Sequence, residues 1–350
     1  MLKKVSVIGH FGFGGNHVGG QTIKTNIITQ ELILKFGDDQ VVQIDTHGGK
    51  KAVPRLFVQS ISALRNTRNV IILPAHNGLR VFVPVLSFFN KIFKRKLFYI
   101  VIGGWLPSYL KNKKRLAKKL KKFDAIFVET NSMKNSLDAM GFENIIVMPN
   151  CKKLHILKEE ELVYPQCEPY KLCTFSRVMK EKGIEDAVNA VKAVNEDFGR
   201  TVYTLDIYGQ VDEKQTEWFE NLQQDFPEYI KYGGLVPFDK SVEVLKYYFA
   251  LLFPTRFYTE GIPGTIIDAY SAGLPVIASE WASHADVLSC GDSITYKFAD
   301  REELYQKLKY CFEHIDTINT CRKECLKSAE KFTPTIALQK LLLSIDGKNE

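Results

Sequence analysis

Short apolar runs alternate with longer stretches of helical pattern from one end of this chain to the other, and no other feature restricts the fold so tightly. In the first half, the runs at 4–9, 40–45, 70–74, 97–102, 124–128 and 144–148 read as buried strands. Helical stretches lie between them, such as 21–36 before Gly37 and 131–140 before Gly141, each closed by a glycine that can take the left-handed turn. Strands this apolar, each followed by a helix, predict a parallel sheet covered on both faces. Residues 152–170 interrupt the rhythm with lysines, glutamates, Pro165 and Pro169, and a linker is placed at 156–170. The alternation then restarts, with strands at 172–176, 202–208, 249–253 and 275–278 and helices at 184–197, 213–225, 240–248 and 264–273. Thr333-Pro334 reads as a cap and first-turn proline for a last helix, 334–345, whose apolar positions are 338, 341, 342 and 345.

The expected architecture is therefore α/β, with two Rossmann-like doubly wound parallel-sheet domains facing across a cleft. Domain one spans 1–155 and domain two 171–331, and a C-terminal helix within 332–350 packs back on domain one. The chain of 350 residues is too long for one ordinary core. With 45% hydrophobic and 25% charged residues it is globular, which excludes disordered, collagenous and disulfide-scaffold classes. No run approaches the ~18 uncharged apolar residues of a membrane span, since 70–89 contains Pro74, His76, Asn77 and Arg80. The opening MLKKVSVIGHFGFGG fits a first strand better than a secretory signal. Seven cysteines, at 151, 167, 173, 290, 311, 321 and 325, include no C-x-x-C pair. They read as reduced thiols of a cytoplasmic protein, with no zinc site. The net charge of +7 is unevenly spread: residues 1–150 carry 23 Lys+Arg against 8 Asp+Glu, so the first half should face something anionic.

Three segments carry candidate chemistry. The first, Gly12 to Thr22 (GFGGNHVGGQT), joins a strand to a helix, where glycines admit a ligand and free N–H groups attract phosphate. It is not a dinucleotide fingerprint, because His17 stands where the third glycine belongs. It approaches a P-loop, with Gly15 and Gly20 correctly spaced, but Gln21 replaces the lysine that engages outer phosphates. A flexible surface loop is its rival reading. The second segment, Ser176 to Gly183 (SRVMKEKG), places Arg177 and Lys182, or alternatively Lys180, at a strand-to-helix turn where two cations could converge on a diphosphate. Many such turns carry Arg and Lys without that role. The third, Phe253 to Ser279, is the sharpest: Glu260 precedes a helix started by Pro263 and closed by Gly273. The N–H groups of Gly264 and Thr265 open that helix, and Asp268 points back toward its start. Carboxylates suit sugar and ribose hydroxyls, and the helix dipole suits the diphosphate between them. The rival reading has Glu260 capping its own helix.

In this order the glycine loop, R-x-x-x-x-K-G (177–183), and E-G-I-P followed by AGLPVIAS (260–279) resemble the retaining GT-B glycosyltransferases of family 4. The resemblance covers nearly the whole chain. LFPT (252–255), GGWL (103–106) and MPN (148–150) are similar to stretches of bacterial capsule and surface-polysaccharide transferases. It implies a metal-independent, cofactor-free enzyme that uses a nucleotide-diphosphate sugar. Glu260 would hold hydroxyls of the transferred sugar, while Arg177 and Lys182 would stabilise the departing diphosphate. Asp268 would bind the ribose, and Gly19 and Gly20 would approach the diphosphate from domain one. The leaving phosphate would take the acceptor's proton on the same face.

The sequence departs from that pattern twice. Asp268 stands where the family usually has a second glutamate, and Gly103-Gly104-Trp105 stands where many relatives have a sugar-contacting histidine. His76, after the preceding strand, is a substitute for that histidine or else an ordinary loop residue.

Residues 111–122 hold eight cations and no acid, among them Lys113, Lys114, Arg115, Lys118, Lys119, Lys121 and Lys122, and 90–96 adds four more. Ser108 is expected to cap one helix here, with Leu116, Leu120 and Phe123 as its apolar stripe. Several cations at ~1 kcal/mol each would hold the domain to an anionic leaflet. No nucleic-acid recognition motif accompanies the charge. The leading expectation is a retaining hexosyltransferase acting on a polyprenyl-diphosphate-linked glycan in capsular or surface polysaccharide biosynthesis. It would be peripheral on the cytoplasmic face of a bacterial membrane. Its rivals are a catalytically silent protein that binds sugar nucleotide or anionic lipid, and a P-loop-like nucleotidase built on Gly15 to Thr22.

Overall fold

Every apolar run singled out in the first half forms a strand, because Val, Ile, Leu and Phe at successive positions can be buried on both faces of a sheet at once. The computed structural model describes residues 1–13, 19–289 and 291–347, apart from the side chain of Lys50. The chain divides into two units, one of Met1–Lys153 together with the chain from Phe332 onward, the other Leu154–Lys331.

In the first unit, strands β1 (Lys3–Gly9), β2 (Val41–Asp45), β3 (Thr67–Ile72), β4 (Lys96–Ile100), β5 (Ala125–Val128) and β6 (Ile145–Val147) form a parallel sheet in the order β2-β1-β3-β4-β5-β6. The helices are α1 (Gly20–Phe36), α2 (Val53–Asn66), α3 (His76–Phe93), α4 (Leu106–Leu110), α5 (Lys114–Leu120) and α6 (Asn131–Asp138). One sheet face buries Ile8, Val70 and Ile126 against α2 to α6, and the other buries Val5, Val7 and Phe127 against α1. β3 begins earlier than its apolar run, at Thr67. The polar side chains that open it are satisfied inside the fold: Thr67 Oγ1 donates to the Ala63 carbonyl at 2.8 Å, and Asn69 Nδ2 to that of Lys4 at 2.8 Å.

The expected single helix over the basic run is a correction. The structure splits it into α4 and α5 at Lys111 to Lys113, where Lys113 has non-helical backbone. Lys113 instead lies 3.8 Å above the Tyr109 ring, and Ser108, inside α4, donates to the Trp105 carbonyl rather than capping. Leu116, Leu120 and Phe123 are buried as their spacing predicts.

The second unit repeats the plan with β7 (Tyr170–Phe175), β8 (Tyr203–Tyr208), β9 (Ile230–Gly234), β10 (Ala250–Phe253), β11 (Val276–Ser279) and β12 (Ser293–Tyr296), ordered β12-β11-β10-β7-β8-β9 and parallel throughout. Its helices are α7 (Ile184–Asp197), α8 (Thr216–Gln224), α9 (Ser241–Leu245), α10 (Gly264–Ser271), α11 (Arg301–Glu313) and α12 (Ile315–Glu330). The order reverses between β7 and β10, and in such sheets ligands settle at the carboxyl ends of the strands flanking the reversal. Within the stretch read as linker, Leu157 is buried and its N–H donates to the Ser271 carbonyl at 3.0 Å.

The last helices, α13 (Pro334–Ala337) and α14 (Gln339–Asp346), pack on the first unit, where Leu338, Leu341 and Ile345 join the core of Val5 and Ile28. They are two helices rather than one, broken at Leu338, and the Thr333 side chain makes no cap bond. The six described cysteines are free thiols. Among the described residues, no helix is long and apolar enough to cross a membrane.

Candidate active site

The carboxyl ends of β7 and β10 meet through a glycine. After β7, a 3-10 turn over Lys180–Lys182 ends at Gly183, whose φ of +69° favours glycine. A Cβ there would lie 1.9 Å from the carbonyl oxygen of Pro254, the residue just past β10. Only a glycine lets the two strand exits come so close. That approach brings Lys182 Nζ against Glu260 Oε1 in a direct ion pair, with side chains only 17% and 16% exposed. Thr255 Oγ1 donates to the same oxygen at 3.3 Å, and Lys182 lies over the Phe253 and Phe257 rings at 5.6 and 5.2 Å. Glu260 is thus occupied by Lys182 and Thr255, and α10 is capped by Pro263 without a side-chain bond. The reading in which Glu260 caps its own helix is not what the chain adopts.

The loop carrying Glu260 is clamped from behind. Arg256 grips the buried Asp186 carboxylate with Nε at 2.6 Å and Nη2 at 2.7 Å, and Arg301 Nε adds a third bond at 2.6 Å. The Arg256 N–H also donates to the Glu181 carbonyl at 2.8 Å. Donating to the Asp186 carboxylate raises the Arg256 pKa against the opposing pull of burial. The clamp ties α7 and α11 to the Glu260 loop and went unnoticed in the sequence, where nothing local links positions 70 residues apart.

α10 opens at Gly264 and Thr265, and the Thr265 hydroxyl is buried without a hydrogen-bond partner. An orphaned polar atom beside free helix N–H groups is where an added acceptor would be most favourable. One turn further, Asp268 is only 1% exposed, and its Oδ1 accepts from Ser241 Oγ at 2.8 Å, the first residue of α9.

The other candidates are placed as follows. Arg177 is 55% exposed and leans toward Asp212 at 3.5 Å rather than joining Lys182 and Glu260. Lys180, the alternative cation, lies over the Trp218 ring at 5.7 Å. His76 is not a loop residue: it begins α3, its ring tilted against Trp105 at 3.8 Å and edge-on to Tyr109 at 4.9 Å. Desolvation, with the nearby charge of Lys113, lowers its pKa and favours the neutral ring. Gly15 and His17 lie outside the described residues, but Gly19 caps α1 and Gly20 begins it, each with open space where a Cβ would sit. Gln21 Nε2 donates to the Leu73 carbonyl at 3.0 Å and Thr22 is buried, so neither is presented as a P-loop would require. Among the described residues, no three His, Cys, Asp or Glu side chains cluster as a metal site would.

The two doubly wound units make this a chain of the GT-B fold, and solved structures agree. The chain is 13% identical to Anabaena HepE, solved with UDP and glucose, over 98% of this chain and 99% of that one, with a TM-score of 0.72. Sucrose-phosphate synthase from Thermosynechococcus elongatus is 14% identical over 98% of each chain, with a TM-score of 0.76. The pneumococcal O-GlcNAc transferase GtfA, solved with UDP and GlcNAc, is 18% identical over 84% of this chain and 59% of that one, with a TM-score of 0.64. At such identities the likeness is one of fold. Residues 169–314, most of the second unit and all of the site described above, match the family of glycosyl transferases group 1. The second unit thus carries the match to group 1 glycosyl transferases, which spans less than half of the chain. No curated protein matches the chain.

Proposed function

We propose that the chain is a retaining, metal-independent glycosyltransferase that moves a hexose from a UDP- or GDP-sugar to a lipid-linked glycan. The acceptor would be a polyprenyl-diphosphate-linked chain of a bacterial capsule or surface polysaccharide, met at the cytoplasmic face of the membrane. The carrying observation is the Lys182–Glu260 pair beside the open start of α10 and the orphaned Thr265 hydroxyl, inside the stretch that matches group 1 glycosyl transferases.

In this reading the donor diphosphate takes the N–H groups of Gly264 and Thr265 and displaces Glu260 as the partner of Lys182. The exchange replaces one anion by another, so Lys182 is never left buried and unpaired. Freed from the lysine, Glu260 accepts hydroxyls of the sugar and fixes its anomeric carbon, while Asp268, buried and held by the buried Ser241, would reach the ribose only once α9 shifts. The bond from the anomeric carbon to the diphosphate breaks and a bond to the acceptor oxygen forms on the same face. The acceptor's proton passes to the departing diphosphate, whose growing charge Lys182 and Arg177 neutralise.

Two substitutions test the diphosphate assignment. Arg177→Ala and Lys182→Ala should each raise the KM for donor roughly tenfold or more, the weight of one hydrogen bond to a charged group. Arg177 is exposed, so its loss should leave stability almost unchanged. Full activity in both variants would put the diphosphate elsewhere. A silent binding protein would hold UDP-glucose yet release no UDP with any acceptor.

A further inference from the structure

From Thr46 to Phe123 the chain holds 18 lysines and arginines and not one aspartate or glutamate. Part of that charge converges on an open groove of about 690 Å³ between α3 and the α4–α5 turn, lined by Arg80, Lys111, Lys113, Lys114, Arg115 and Lys119 over the apolar Pro84 and Leu116. Six cations with no acidic neighbour in the wall repel one another, and an anion of several charges would relieve them.

The groove does not stand alone. Arg80 and Pro84 lie on α3, and the same four-residue spacing continues through Phe88 and Ile92 along one drifting stripe. Phe88 and Ile92 are 63% and 72% exposed, and Val81 and the α2 residues Phe57 and Val58 are exposed as well. α2 and α3 pack together through the edge-on Phe57–Phe89 contact at 5.7 Å, so their bare aliphatic and aromatic side chains belong to neighbouring helices. Water alone is a poor partner for such a patch. A nucleic acid would satisfy the cations but leave Val58, Val81 and Ile92 wet.

We propose that this face is a docking surface for an acidic bilayer, with the groove as the seat of a lipid phosphate headgroup and Val81, Phe88 and Ile92 entering the acyl boundary. The inference rests on the membrane-face part of the function proposed above and assigns it to particular side chains. Cations supply attraction that weakens with salt, and buried apolar side chains supply a part that does not.

The test is sedimentation of the full chain with vesicles, without donor or acceptor. Wild type should bind vesicles of phosphatidylcholine with about one quarter phosphatidylglycerol far more tightly than pure phosphatidylcholine, which should hold only the weak salt-resistant part. Charge reversal in the groove (K114E, R115E and K119E together) should lower binding by about a hundredfold or more, since each cation contributes a factor of about five. F88S with I92S should bind more weakly at low salt and lose all remaining binding at raised salt, where wild type keeps a resistant fraction. Equal binding by all three proteins, equal binding to neutral vesicles, or tighter binding to an oligonucleotide than to acidic vesicles would each overturn the proposal. Thermal stabilisation by UDP-glucose, read on the same proteins, should persist in both variants. Its absence from wild type would count against the transferase reading and leave the vesicle result standing.

Discussion

Glu260→Gln should fold normally and release UDP from UDP-glucose about 10²-fold more slowly than wild type, because a preorganised charged contact to the reacting sugar is lost. The substitution keeps shape and hydrogen-bonding atoms while removing charge. Its signature lies in the contrast with binding. In the unliganded chain Glu260 holds Lys182, so a neutral amide releases that lysine for the donor's phosphates. UDP affinity should therefore hold or rise while turnover falls. A variant turning over near the wild-type rate would refute the role of Glu260, and one that lost UDP binding tenfold would show that the carboxylate builds the phosphate site.

Gly183→Ala should be among the most damaging single-methyl changes available to the second unit. The new Cβ would overlap the Pro254 carbonyl, and the backbone at φ +69° is strained for any L-residue. Overpacking and strain together should lower stability by roughly 2–5 kcal/mol. Relief requires the Pro254 exit to move, and with it Thr255 and Glu260. Displacements near 1 Å in a reacting site can cost ~10²-fold in rate. Gly199→Ala is the control: its φ is +63° but nothing lies within 4 Å of the added methyl. It should cost about 1–2 kcal/mol, for strain alone, and spare turnover. Urea unfolding of the second unit and UDP release separate the two. Equal effects would mean that dihedral strain, not the β7–β10 approach, decides.

The doubly wound plan was legible because buried parallel strands announce themselves. Val5, Val7 and Ile8, or Leu251, Leu252 and Phe253, are apolar on both sheet faces and need no partner to be recognised. β9 and β12 were missed for the complementary reason. Both are edge strands, and Ile230–Gly234 and Ser293–Tyr296 are only partly buried, with lysine, glycine and serine among them. The break between α4 and α5 was also hidden, because the apolar stripe of Leu116, Leu120 and Phe123 lies wholly after it and carries no information about the backbone at Lys111 to Lys113.

The site was legible where its residues lie close in sequence. The turn from Arg177 to Gly183 and the stretch from Glu260 to Asp268 each carry their own glycine and proline punctuation. What joins them is less visible: the pairing of Lys182 with Glu260, Ser241 on Asp268, and the two arginines on Asp186 are contacts between distant segments. Asp186 in the first turn of α7 looks from sequence like an ordinary dipole-facing acid. Only the fold shows that it fixes the loop bearing Glu260.

Calorimetric titration of the intact chain with UDP-glucose, repeated on Lys182→Ala, bears most directly on the claim that the carboxyl ends of β7 and β10 hold a sugar nucleotide. The account predicts saturable binding at one site in wild type, weakened roughly tenfold or more when Lys182 is lost. Unchanged affinity in the variant, or a wild-type chain that binds no UDP-sugar, GDP-sugar or free nucleoside diphosphate, would contradict it.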